Sequence, residues 1–112
     1  MSNPTAMIAI GGNSLSHKSE KGDIHQQFAY TREALEGIKY FIDRKYNICI
    51  NHGNGPQVGN ELLRMDLTHN KIPPLPLEVC VAGTQGSIGY MIQQSLQNKL
   101  RDMQIDREVV TM

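Results

Sequence analysis

Residues 48–59 read Ile-Cys-Ile-Asn-His-Gly-Asn-Gly-Pro-Gln-Val-Gly: a short apolar run that breaks into glycines and then into a proline. The apolar run at Ile48–Ile50 predicts a strand. Glycine has no Cβ and adopts positive φ freely, so the backbone at Gly53-Asn54-Gly55 is free to come close to a bulky anion. Pro56 suits the first position of a helix, where its missing N–H costs nothing. The unbonded N–H groups of that first turn, with the helix dipole, attract negative charge. The segment therefore reads as strand, anion-facing turn and helix.

The same grammar opens the chain. Met7 to Ile10 reads as a buried strand that runs into Gly11-Gly12-Asn13. Between the two units, Ser14 to Gly22 carries Lys18, Glu20 and Lys21 and reads as a solvated, mobile loop. Asp23 is a good N-cap, and Gln26 three residues on nearly completes a capping box. Phe28, Leu35, Ile38, Phe41 and Ile42 then recur at helical spacing, predicting a helix to about Lys45. After Pro56 a second helix places Val58, Leu62 and Met65 on one face. Pro73, Pro74 and Pro76 impose an extended linker. A third helix is expected from about Glu78 to Leu100, and a third strand from Glu108 to Met112.

Alternating strands and helices imply an α/β fold with a mainly parallel sheet and helices on its faces. A chain closing on Val109-Val110-Thr111-Met112 reads as the opening half of a larger α/β protein. Within the third predicted helix, Gly83, Gly86 and Gly89 fall three residues apart. Each helical glycine costs about 1 kcal/mol relative to alanine. They permit a close approach to another helix, a partner subunit or a ligand. Alternatively, the helix starts near Ser87 and the first two glycines lie in a loop.

The 112 residues allow one small domain. Eleven Lys and Arg balance eleven Asp and Glu, which argues against a general nucleic-acid binder, and with no Trp a base-stacking platform is not expected. Cys49 and Cys80 lack metal-ligand spacing and read as two reduced, buried thiols of a cytosolic protein. Met1 to Thr5 lack the profile of a signal peptide, and no apolar run approaches membrane-spanning length.

Several chemistries fit poorly. A dinucleotide fingerprint at Gly53-Asn54-Gly55 has its third glycine, Gly59, one place late. It is followed by a proline-rich linker where a strand ending in an acidic residue should stand. No Gly-Lys-Ser or Gly-Lys-Thr follows either turn, so there is no P-loop. His52 lacks an obvious Ser or Cys partner, and His17, His25 and His69 show no zinc spacing. His69, near a helix end, reads as a surface group. One glycine-rich turn is usually only a turn. Two after consecutive strands, each with an asparagine, favour a ligand site.

The run Asn51-His52-Gly53-Asn54-Gly55-Pro56-Gln57-Val58-Gly59 resembles the signature loop of carbamate kinases. Ile8-Ala9-Ile10-Gly11-Gly12-Asn13-Ser14-Leu15 is similar to their first strand and phosphate loop. A third stretch, Pro76-Leu77-Glu78-Val79-Cys80 and then Thr84 to Met91, resembles another segment of the same family. The resemblance covers nearly the whole chain, in order. It implies the amino-acid-kinase fold, a three-layer αβα sandwich, with residues 1–112 as its N-terminal, carbamate-binding part and the ATP-binding C-terminal part absent from this chain. Many members of the wider family carry a lysine where Ala9 stands, and Ala9 favours carbamate over acetylglutamate, glutamate or aspartate. Ser14 stands where alanine is common.

The implied reaction is ATP plus carbamate giving ADP plus carbamoyl phosphate, often run toward ATP, with Mg2+ as the metal; arginine metabolism is the expected setting, with agmatine and purine breakdown as open alternatives. Carried over by position, Gly11, Gly12 and Asn13 would hold the phosphoryl group in transfer. Gly53, Asn54 and Gly55, with His52 and Gln57, would hold the carbamate or carbamoyl end. Backbone N–H groups suit this role, since phosphoryl transfer needs positioning and charge stabilisation. Neither turn contains Lys or Arg, and the family keeps its catalytic lysines and nucleotide pocket in later segments. The expectation is therefore that this chain alone binds phosphate weakly and does not turn over. The resemblance also implies a cytoplasmic homodimer acting on small molecules, with no nucleic acid and no membrane. Two alternatives stay open: a non-catalytic, anion-binding or interaction half-domain of the same family, and a dinucleotide-binding oxidoreductase domain.

Overall fold

A computed structural model describes residues 2–16 and 22–112. The loop reading of Lys18, Glu20 and Lys21, and the ring of His17, lie outside the described residues. Strand β1 spans Thr5–Ile10 and strand β2 spans Asn47–His52, and they pair in parallel with Ile10 opposite His52. Both expected strands form, each slightly longer than its apolar run.

Between them, Ile24–Ala34 forms helix α1, Leu35–Ile38 tightens to a 3-10 turn, and Lys39–Asp43 forms helix α2. The start is set by the expected capping box. Gln26 N donates to Asp23 Oδ1 at 2.9 Å, and Asp23 N donates to Gln26 Oε1 at 3.2 Å. The stretch stops at Lys45, whose φ of 59° is left-handed. Helix α3 runs Gly55–Thr68 with Pro56 in its first turn, and helix α4 runs Leu77–Asp102. All three α4 glycines are therefore helical, and the later start near Ser87 does not hold.

The core lies on one face of the sheet. Ile10, Leu35, Ile38, Ile42, Ile88 and Met91 are buried together, with Ile8, Ile48 and Ile50 packed against them. Strand alternation sends the other set of side chains outward. Met7, Ala9, Cys49 and Asn51 stand exposed on the opposite face. Parallel sheets are ordinarily covered on both faces, so the described residues supply two of the three layers of the expected sandwich. Cys49 was expected to be buried and is exposed, because its register places it on that bare face. Cys80 is buried as expected.

The expected third strand does not form. Residues 105–112 belong to no strand, and the sheet of the described residues consists of β1 and β2. They lie along α4 instead. Val109 N donates to Gln97 Oε1 at 3.0 Å, Gln97 Nε2 donates to the Arg107 carbonyl at 2.8 Å, and Thr111 Oγ1 donates to Gln93 Oε1 at 2.6 Å. A groove of about 400 Å³ separates this segment and α4 from β2, with Ile48, His52, Gln93, Arg107 and Val109 among its walls.

The molecule is elongated, 57 × 27 × 20 Å. Exposure concentrates in an arm made of the later turns of α3, the proline linker and the first turns of α4. Val58 and Met65 are half-buried, but Leu62 of the same predicted face is exposed, as are Leu63, Leu67, Ile72, Leu75 and Leu77.

Candidate anion-binding site

Parallel pairing in register brings the carboxyl ends of β1 and β2 side by side, where α/β folds bind ligands. The two glycine turns consequently meet. Gly53 N donates to the Ile10 carbonyl at 2.9 Å, extending the ladder by one bond into the turns. A Cβ on Gly53 would lie 3.1 Å from Gly12 N. A Cβ on Gly12 would lie 3.0 Å from Gln57 Oε1, 3.1 Å from Gly55 N and 3.1 Å from Pro56 Cδ.

Gly12 and Gly53 are thus glycines because the turns touch each other. Gly11 and Gly55 differ. Around a Cβ on Gly55 there is nothing within 4 Å, and around one on Gly11 only Ser14 Oγ at 3.9 Å. Where the sequence offered one reason for four glycines, the structure separates two: a close approach of backbone to backbone, and a backbone left open to the outside.

The first turn is a 3-10 turn over Gly12–Ser14, closed by Ser14 N to the Gly11 carbonyl at 3.0 Å and Leu15 N to the Gly12 carbonyl at 3.1 Å. Leu15 is fully buried and anchors it. Asn13 is exposed and, with Ser14, Tyr30 and Glu33, borders a cavity of about 560 Å³ beside β1. The second turn leads into α3, whose N-cap, Asn54, makes no side-chain capping bond.

Asn54 Nδ2 instead donates to Thr84 Oγ1 at 3.1 Å, and Thr84 Oγ1 donates to the Val81 carbonyl at 2.7 Å. Thr84 is 2 % exposed and ties the second turn to α4. It was not among the sequence-derived site residues. Its only signal was its place in the third motif stretch, thirty residues away from Asn54.

His52 and Gln57, both expected to hold substrate, lie inward. His52 is half-buried, its Nδ1 sits 3.1 Å from the Gly53 carbonyl, and it faces the β2–α4 groove. Gln57 is buried, and its Nε2 donates to the Gly12 carbonyl at 3.2 Å. His25 and His69 are exposed, His69 capping α3 with Nδ1 2.7 Å from the Asp66 carbonyl.

Neither turn carries a carboxylate, and no group of three or more His, Cys, Asp or Glu fit for a metal occurs among the described residues. A divalent cation does not fit these donors. What the paired turns present chemically is backbone N–H, the group suited to phosphate and carboxylate oxygens.

No protein-family model matches the chain. Carbamate kinase of Pyrococcus horikoshii is 46% identical over 107 residues, covering 94% of this chain and 34% of that protein. Carbamate kinase-like protein YahI of Escherichia coli is 41% identical over 96 residues, covering 84% and 30%. Among solved structures, carbamate kinase from Giardia lamblia bound to AMP-PNP superposes with a TM-score of 0.88 at 34% identity, covering 95% of this chain and 37% of that one. The fold is therefore that of the amino-acid kinases. Within that class the chain belongs with the carbamate kinases, to whose N-terminal portion it corresponds. It spans about a third of the length of the curated relatives it matches.

Proposed function

We propose that this chain is the carbamate-binding, acyl-phosphate part of a carbamate kinase, which moves a phosphoryl group between ATP and carbamate. One observation carries the reading: the two glycine turns abut at the carboxyl edge of the sheet, where Gly53 N donates to the carbonyl of Ile10, the last residue of β1, at 2.9 Å and a Cβ on Gly53 would lie 3.1 Å from Gly12 N. Two anions that exchange a phosphoryl group have to lie within contact of one another, and adjoining turns offer them adjoining cradles. In this reading Gly11, Gly12 and Asn13 serve the phosphoryl group, and Gly53, Asn54 and Gly55 serve the carbamate. His52 and Gln57 support the turns from within.

Nucleotide, Mg2+ and catalytic lysines belong to segments beyond residues 1–112 in this reading, so the chain alone does not turn over. The test is ATP formation from ADP and carbamoyl phosphate. The 112-residue chain is expected to give none. Joined to the remaining two-thirds of a relative such as the Pyrococcus horikoshii enzyme, it is expected to give turnover that Gly53→Val removes. An active isolated chain, or a well-folded but inactive chimera, would refute the assignment.

A cytoplasmic homodimer working in arginine metabolism fits this function. No helix among the described residues is long and apolar enough to cross a membrane. The exposed apolar arm, and the open space beside Gly83 and Gly86, support a second copy as partner. Sedimentation of Gly86→Leu tests that: a dimer of unchanged affinity removes α4 from the contact. The alternative half-domain that binds an anion without catalysis predicts a folded chimera with no turnover at any substrate concentration.

A further inference from the structure

Gln57 is held in a way that space-filling does not explain. It is 7 % exposed and is the buried residue of α3. One end of its carboxamide is bonded, Nε2 to the Gly12 carbonyl at 3.2 Å. The other end, Oε1, is buried with no hydrogen-bond partner. A half-satisfied buried amide is worse for stability than an apolar side chain of the same shape. Methionine has nearly the same length and would leave no orphaned acceptor. What methionine lacks is a donor for the Gly12 carbonyl.

That carbonyl belongs to the Gly12–Asn13 peptide. It accepts from two donors, Gln57 Nε2 and Leu15 N at 3.1 Å. The peptide unit is planar and trans, so its C=O and N–H point in opposite directions. Drawing the oxygen inward, toward α3, turns the N–H of Asn13 outward. Asn13 is exposed there, and the neighbouring Gly11 has open space above it.

We propose that Gln57 is a positioning residue that locks the Gly12–Asn13 peptide with the Asn13 N–H presented to an incoming phosphoryl oxygen. It acts across the junction of the two turns, from the first turn of α3, and touches no substrate itself. The proposal rests on the carbamate kinase reading of the turns and replaces direct substrate contact by Gln57 with control of the donor that makes it.

The test uses the 15N-labelled 112-residue chain with inorganic phosphate as probe. In the wild type, phosphate is expected to shift the Asn13 and Gly55 amide signals. In Gln57→Met the thermal midpoint is expected to stay the same or rise, the ligand-free Asn13 signal to move or broaden, and its phosphate response to be lost. Gln57→Glu supplies a second readout. Neutral at low pH, the carboxyl O–H replaces the amide donor and the Asn13 signal should sit where the wild type has it. Ionised at higher pH, the group has no donor and the signal should move away, a pH switch absent from the wild type.

An Asn13 amide unchanged in position and in phosphate response in Gln57→Met, or showing no pH switch in Gln57→Glu, would overturn the proposal while leaving the kinase reading intact. A wild-type chain whose Asn13 and Gly55 amides ignore phosphate, although Gln57→Met displaces Asn13, would overturn the anion-site reading instead.

Discussion

The glycines of the two turns and the glycines of α4 look alike as sequence and differ as structure. Around Gly12 and Gly53 the space for a side chain is already taken, mostly by backbone and by a proline ring of the facing turn. Around Gly83 and Gly86 there is nothing within 4 Å, although both lie inside a helix that glycine weakens. The first pair is fixed by contacts inside the chain. For the second pair the described residues supply no such contact. Spacing in a sequence cannot separate these cases, because what decides them is the distance to residues forty positions away.

Substitution should break the contrast open. The largest effect is expected for Gly12→Val, whose Cβ meets three fixed atoms at 3.0 to 3.1 Å. Urea denaturation should show a loss of about 3 kcal/mol, the upper end of ordinary overpacking. Gly53→Ala meets one backbone nitrogen at 3.1 Å and should cost about 1–2 kcal/mol by the same measurement. Amide exchange at Gly53 should speed up as its bond to Ile10 loosens.

The sign should then reverse. Gly83→Ala and Gly86→Ala should each stabilise the isolated chain by about 1 kcal/mol, the helix-propensity difference. If the same changes also weaken self-association in sedimentation, the open glycines are an interface; if they stabilise and association is untouched, they are not. Gly89→Ala is the smallest case. Its Cβ would fall 2.6 Å from Thr111 Cγ2, a side chain of an exposed residue that can turn aside. Loss of the packing of Thr111 should offset the helical gain, leaving a net change below about 0.5 kcal/mol in the same denaturation assay.

Much of the architecture was legible because it is local. Asp23 and Gln26 announced the start of α1, Pro56 the start of α3, and the prolines from Pro73 to Pro76 the break before α4. Two readings failed for the complementary reason. Val109 to Met112 have strand composition, yet a strand also needs a neighbour, and Gln97 and Gln93 bind the segment to α4 instead. Cys49 is apolar in context, yet the parity of its register turns it to the uncovered face. The bond from Gln57 to the Gly12 carbonyl, forty-five residues back, has no local signal at all. At the candidate site the glycines and asparagines were visible as types. That Thr84 ties down Asn54 was not, since it takes the crossing of α4 behind the second turn to bring them together.

The bare face of the sheet turns Cys49 into a reporter. It is the exposed thiol of the two cysteines, Cys80 being 2 % exposed. A maleimide dye should therefore mark one position in the native chain and a second only after unfolding. Whatever comes to lie over Met7, Ala9 and Asn51 would announce itself as slower alkylation, without any engineered label.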